Sequence, residues 1–132
     1  MYDDGQRDGV KKYEQLWTAR VGEDTVRLAC IPLFAYGMAW NDLLTISPDH
    51  SVLRVEKAAG HKALRAAGKD REQGAKLVLE VSQLADDMNL KYETHGGGYV
   101  AIDIPPGSGD TIDSVLAYLN REGVKFEYEV VP

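Results

Sequence analysis

The chain has 132 residues, 44% of them hydrophobic, with 15 Lys and Arg against 21 Asp and Glu, a formal net charge of -6. That length holds one ordinary domain or two very small ones sharing a core, and the hydrophobic share excludes a disordered chain. The acidic balance repels a phosphate backbone and suits a basic protein partner, or simply solubility, while a single cysteine, Cys30, excludes an intrachain disulfide and a Cys-rich metal cage.

The N-terminus, Met1-Tyr2-Asp3-Asp4-Gly5, is polar and lacks a leader pattern. No apolar run approaches the roughly 20 residues of a membrane helix, so a cytoplasmic protein with no membrane partner is expected. Residues 1–12 are expected as a flexible tail, 13–59 as a β-rich N-terminal module and 60–132 as a second module. A strand is predicted from Tyr13 to Val21, a glycine-led turn at Gly22-Glu23-Asp24, and a second strand from Thr25 to Ile31, stopped by Pro32, which has no amide hydrogen. Residues 33–48 are dense in large apolar groups. A short helix or tight turn at 34–39 and a strand at 43–47 are expected, separated by the turn residues Asn41-Asp42. Leu53 and Val55 are expected on one face of a further strand, with Arg54 and Glu56 on the other. Such short strands suggest a small partial barrel.

The second module is more regular. A short strand from His61 to Ala67 sets Ala63, Arg65 and Ala67 against Leu64 and Ala66. A helix follows from about Arg71 to Met88, capped by Asp70, with Leu77, Val81, Leu84 and Met88 in one stripe. Leu90 to His95 and Tyr99 to Ile104 form a hairpin around Gly96-Gly97-Gly98, and Val100, Ile102 and Ile104 share a face opposite Tyr99, Ala101 and Asp103. Asp110 or Thr111 is expected to cap a second helix buried along Ile112, Val115, Leu116 and Leu119 and ended by Gly123. Last comes a strand in which Val124, Phe126, Tyr128 and Val130 alternate with Lys125, Glu127 and Glu129. The order βαββαβ predicts an α+β fold: an N-terminal strand-rich partial barrel followed by a ferredoxin-like module with two helices on one sheet face. The other face is the natural place for function, unless the first module packs on it.

No reactive constellation stands out. His95-Gly96-Gly97-Gly98 lacks a Gly-x-Ser-x-Gly elbow and reads as a turn. Gly107-Ser108-Gly109-Asp110 has no lysine beside it and carries its own acids, so it reads as a cap rather than a phosphate loop. His50, His61 and His95 have no metal-ligand spacing, and neither metal nor cofactor is expected. His61 is read as a structural hydrogen-bond donor or a residue at the junction of the modules. Cys30 lies in an apolar run and reads as an inert buried thiol. Tyr99 alone, on an acidic chain, does not make a nucleic-acid surface. Phe34, Tyr36 and Trp40 form a core or an anchor cluster. Glu127 and Glu129 share a strand face and make either a protected edge or an acidic docking stripe.

Three stretches, Tyr13-Glu14-Gln15-Leu16-Trp17, Ile31-Pro32-Leu33-Phe34-Ala35-Tyr36-Gly37-Met38-Ala39-Trp40-Asn41-Asp42 and Gly60-His61-Lys62-Ala63-Leu64-Arg65, resemble the bacterial DUF4265 family, whose patterns are E-x-L-W, I-P-F-F-A-x-G-V-x-x-x-D and G-H-S-T-x-R. Leu33, Met38 and Lys62-Ala63 depart from those patterns. The resemblance runs from about Tyr13 to near Tyr128 and brings no activity with it. It marks Trp17, Pro32, Phe34, Gly37, Asp42, Gly60 and His61 as a shared core or contact site.

The expected function is non-enzymatic protein binding, with an immunity or antitoxin-like inhibitor of a basic toxin the best fit to size and charge. The expected contact residues are Tyr36, Trp40, Asp42, Tyr99, Glu127 and Glu129. The alternatives are a small-molecule-sensing regulatory domain, and a small enzyme using His61 with Asp42 or Cys30.

Overall fold

In a computed structural model, the chain is described with its side chains from Glu14 to Pro132 and as backbone over residues 2–7 and 10–13. The expected tail falls largely outside the described side chains. Its backbone pairs as an antiparallel ribbon of β1 (Tyr2–Arg7) and β2 (Val10–Glu14), and Met1, Asp8 and Gly9 lie outside the described residues. The whole is a mixed α+β fold of antiparallel sheets and two helices.

The first four-stranded sheet is a meander of β3 (Thr18–Arg20), β4 (Thr25–Leu28), β5 (Leu43–Ile46) and β6 (Val52–Lys57), in that spatial order. Val26, Leu28 and Leu44 project from one face and bury Cys30 and Met38, with Leu16, Ile46, Val52 and Val55 packed around them. Two sequence expectations change here. The pairing of β5 with β6 slips between Leu43 and Leu44 and again between Thr45 and Ile46. Such bulges reset which side chains face inward. Val52 and Val55 therefore pack on the core, and Leu53 is 61% exposed. The segment 34–39 forms no helix. Gly37 takes a φ of +84°, which interrupts a right-handed turn, and the amides that a helix would need are bonded elsewhere.

The second sheet has the spatial order β10-β7-β9-β8, all pairs antiparallel, formed by β7 (Lys62–Gly68), β8 (Tyr92–His95), β9 (Tyr99–Ile104) and β10 (Phe126–Val131). Helix α1 (Arg71–Met88) links β7 to β8 and α2 (Gly109–Arg121) links β9 to β10. Asp70 caps α1 as expected, accepting the Gln73 amide hydrogen at 2.8 Å. Ser108 precedes α2 without a side-chain cap bond, so Asp110 lies in the first turn, where its charge still favours the helix end. One sheet face carries Leu64, Ala66, Val100, Ile102 and Ile104 against Leu77, Val81, Val115 and Leu119 of the helices. Burying each such Leu, Ile or Val contributes about 1.5–3 kcal/mol. The helices reach β10 only at its start. Val124 is buried, but Tyr128 and Val130 are 54% and 39% exposed. The strict alternation expected for this strand therefore buries only its first half.

Helix α1 comes unusually close to the sheet at three glycines. A β-carbon on Gly68 would lie 2.2 Å from the Gly74 backbone, and one on Gly74 would lie 2.8 Å from Gly98 Cα. The β8–β9 turn and the start of α1 meet backbone to backbone, with the Gly68 amide donating to the Gly98 carbonyl at 2.9 Å.

Candidate functional site

The opposite face of the second sheet presents Ala63, Arg65 and Ala67 from β7, Tyr99, Ala101 and Asp103 from β9, Glu93 and His95 from β8, and Glu127, Glu129 and Val131 from β10, as the strand registers require. Most of it is covered by the irregular segment from residue 31 to 40. Ile31, Ala63, Ala101 and Val131 form a small buried cluster, with Leu33 and Trp40 packed on it. The junction is held by hydrogen bonds between side chains on one side and backbone on the other. Glu14 ends β2 and turns its carboxylate onto the amides of Leu33, Phe34 and Ala35, at 2.6, 3.0 and 2.7 Å. Glu93 accepts the Ile31 amide at 2.9 Å. Tyr99 donates its hydroxyl to the Leu33 carbonyl at 2.5 Å, and Arg65 donates to the Ala35 carbonyl.

These bonds gather several of the expected contact residues. Arg65 is 2% exposed, sits in a strand of small and apolar residues, and has its guanidinium 5.0 Å from the Tyr36 ring centre. Its Nη1 lies 3.8 Å from Glu129, and its buried Nε has no hydrogen-bond partner among the described residues. Tyr36 is 54% exposed and donates its hydroxyl to Glu129 Oε1 at 2.8 Å. That bond to an anion pushes the Tyr36 phenol above its ordinary range, and burial does the same to Tyr99. Phe34 stacks on Tyr99 and meets His95 edge-on, both with ring centres 5.0 Å apart. Past the covering segment lies an open hollow of about 220 Å³, lined by Arg65, Ala67, Tyr99, Glu127, Tyr128 and Glu129 among others.

Trp40 and Asp42 lie elsewhere. Trp40 is half-buried under the Lys91 ammonium, 4.3 Å from its ring centre. Asp42 is 3% exposed and accepts the Ala39 and Ala59 amides at 2.9 and 2.8 Å. It ties the covering segment to the approach of β7. His61 lies at the junction and its ring bonds Asp103. Its Nδ1 is 2.8 Å from Asp103, with 16% of the His61 side chain and 5% of the Asp103 side chain exposed. Burial raises the Asp103 carboxyl above its usual range, and the opposing pull of His61 does not cancel this. Cys30 is buried, and the loss of hydration pushes its thiol up to about 11, far from a reactive thiolate.

Arg65, Asp103, Glu14 and Glu93 are the residues that sequence reasoning missed. Arg65 and Asp103 had a signal. Each is a charge on a strand face otherwise made of alanine or tyrosine, and a charge in that position needs a partner. Among the described residues no group of three or more His, Cys, Asp and Glu is placed to hold a metal ion, and no helix is long and apolar enough to cross a membrane.

A family model, "Domain of unknown function (DUF4265)", matches residues 14–126, which takes in the first sheet and the second as far as Phe126 at the start of β10. The chain belongs to the DUF4265 family. In this DUF4265 chain the three motif stretches meet physically. Glu14 of the first clamps the second at residues 33–35, and Arg65 of the third donates to Ala35 of the second. Comparison with curated proteins finds no significant match. Among solved structures, one described as "Novel crystal structure of a hypothetical protein from Neisseria gonorrhoeae" is similar in fold, with a TM-score of 0.71 at 17% sequence identity, covering 97% of this chain and 89% of that one.

Proposed function

We propose that this DUF4265 protein is a cytoplasmic, non-enzymatic binding protein whose second sheet and helices make a ferredoxin-like module. Its contact site is the hollow at the junction of β7, β9 and β10. The observation behind this reading is the convergence of Tyr36, Tyr99, Glu127 and Glu129 on one open, acidic, aromatic-rimmed surface. Aromatic side chains beside desolvated charges are what binding sites favour, and an acidic surface on a chain of net charge -6 speeds encounter with a cationic partner. The buried Cys30 thiol and the backbone-engaged Asp42 support binding over chemistry. A small basic protein toxin, inhibited by occupation of its cationic surface, fits this site.

The test is capture of the partner from native lysate, repeated with the doubly charge-reversed variant Glu127→Lys/Glu129→Lys. Loss of the same captured protein, with the melting temperature of the variant unchanged, is expected. Capture at wild-type strength would remove the hollow from the contact surface. The competing enzyme reading rests on His61 oriented by Asp103, not by Asp42 or Cys30. His61 Nε2 makes no hydrogen bond among the described residues.

A further inference from the structure

Within the hollow, the two carboxylates are not equivalent. The Glu127 side chain makes no hydrogen bond or ion pair among the described residues. Glu129 is occupied: its Oε1 accepts the Tyr36 hydroxyl at 2.8 Å and lies 3.8 Å from Arg65 Nη1. Tyr36 also lays its ring over the Arg65 guanidinium, 5.0 Å from the ring centre. It is nevertheless 54% exposed, and the residue after it, Gly37, has a φ of +84° and open space where a β-carbon would stand. A side chain with that much exposure has room to turn its hydroxyl from Glu129 while its ring stays over Arg65.

We infer that Tyr36 is an internal competitor for a guanidinium site formed by Glu127 and Glu129, and that the occupant is an arginine side chain of the basic partner. The inference rests on the binding reading above. A neutral phenol offers Glu129 one donor. A guanidinium offers a full charge and a planar fork of N–H groups, so it adds an ion pair and a second donor to the single charge-assisted bond that the phenol makes. Among the described residues that line it, two carboxylates against one cation, Arg65, leave the hollow negative. Arginine suits it better than lysine. The rings of Tyr36 and Tyr99 border the site, Tyr36 already faces one guanidinium, and arginine stacks on aromatic faces while matching carboxylates in its plane. The entering arginine takes Glu129, the phenolic hydroxyl gives up its bond, and the Tyr36 ring stays at the border of the site.

This reverses the usual expectation for an exposed tyrosine at an interface. If Tyr36 were an anchor, removing its hydroxyl would weaken binding or leave it unchanged. As a competitor, Tyr36→Phe strengthens it. The net value of one such hydrogen bond converts to about a two- to tenfold gain in affinity.

The probe is N-acetyl-arginine amide, which carries a guanidinium and no other charge, titrated into the isotope-labelled chain and followed by NMR at the β10 amides and Gly37. N-acetyl-citrulline amide, of the same shape and uncharged, serves as the control. The expected result is saturable binding of the arginine probe only, tightened about two- to tenfold in Tyr36→Phe and weakened in Glu127→Gln and in Glu129→Gln. Tyr36→Leu, which also removes the ring, should bind more weakly than Tyr36→Phe. Binding equal or weaker in Tyr36→Phe, with the glutamine variants still impaired, overturns the competition and leaves the acidic hollow standing. Absence of binding in both the wild type and Tyr36→Phe, or equal binding of citrulline, overturns the competition and the hollow together.

Discussion

The two faces of the second sheet are covered in different ways, and the difference explains what each can do. On one face α1 and α2 lay a continuous apolar stripe over β7 and β9, and cohesion there is non-directional burial. On the other an irregular segment is fastened by discrete bonds from Glu14, Glu93, Arg65 and Tyr99 to its backbone, over only a small apolar patch. The helix-covered face is uniform and closed. The bonded face ends abruptly at its last fastening, and the surface beyond it, with Glu127 and Glu129, stays open.

The sharpest way to break this contrast is at the helix-covered face. Leu77 is fully buried, and Leu77→Ala should lower stability by about 2–5 kcal/mol in chemical denaturation. On the bonded face, Glu14→Ala leaves three amides without their acceptor and should cost about 1–3 kcal/mol. Glu14→Gln, which keeps an acceptor oxygen, should cost less. If both Glu14 variants unfold at wild-type denaturant concentrations, the segment is held by apolar contact alone and the contrast fails.

Smaller effects follow from titration. The folded Asp103 carboxyl sits above its usual value of 3.8, so the folded chain holds that proton more tightly than the unfolded chain. Its contribution is most favourable in acid and is lost as pH rises through the folded value. Asp103→Asn should therefore remove a downward step in stability above pH 4, measured as melting temperature against pH. At the other end, Cys30 is raised from 9.0 to about 11, so stability should fall between those values as the unfolded thiol ionises first. Cys30→Ala should flatten that window, and alkylation of native Cys30 at pH 8 should be much slower than in denaturant.

The sequence made the helix-covered face legible because regular elements write a period. Leu77 and Val81 in α1, and Val115 and Leu119 in α2, recur at helical spacing, and Val100, Ile102 and Ile104 alternate, so both the elements and their buried sides followed. The bonded face has no period to read. Its order comes from side chains meeting backbone atoms far along the chain, such as Glu14 at residues 33–35 and Asp42 at Ala59. Of the short helix or tight turn expected at 34–39, the helix failed for that reason, since apolar density is common to helices and to clamped loops. Leu53 failed for a related one: a bulge changes the phase of alternation without a mark in composition. Of the residues around the hollow, Tyr36, Tyr99, Glu127 and Glu129 had been singled out by residue type and face. Arg65 was passed over because an arginine is ordinarily placed at the surface.

The meeting of α1 with the β8–β9 turn carries a warning for anyone engineering this molecule. Replacing a helical glycine by alanine is a common first step toward a hardier protein, because it reduces the freedom of the unfolded chain and improves helix propensity. At Gly74 that recipe would drive a methyl group into the Gly98 backbone, and the mirror change at Gly98 meets Gly74 in turn. Neither position can accept a side chain unless the helix and the turn first move apart, so a library that varies them one at a time should return glycine at both.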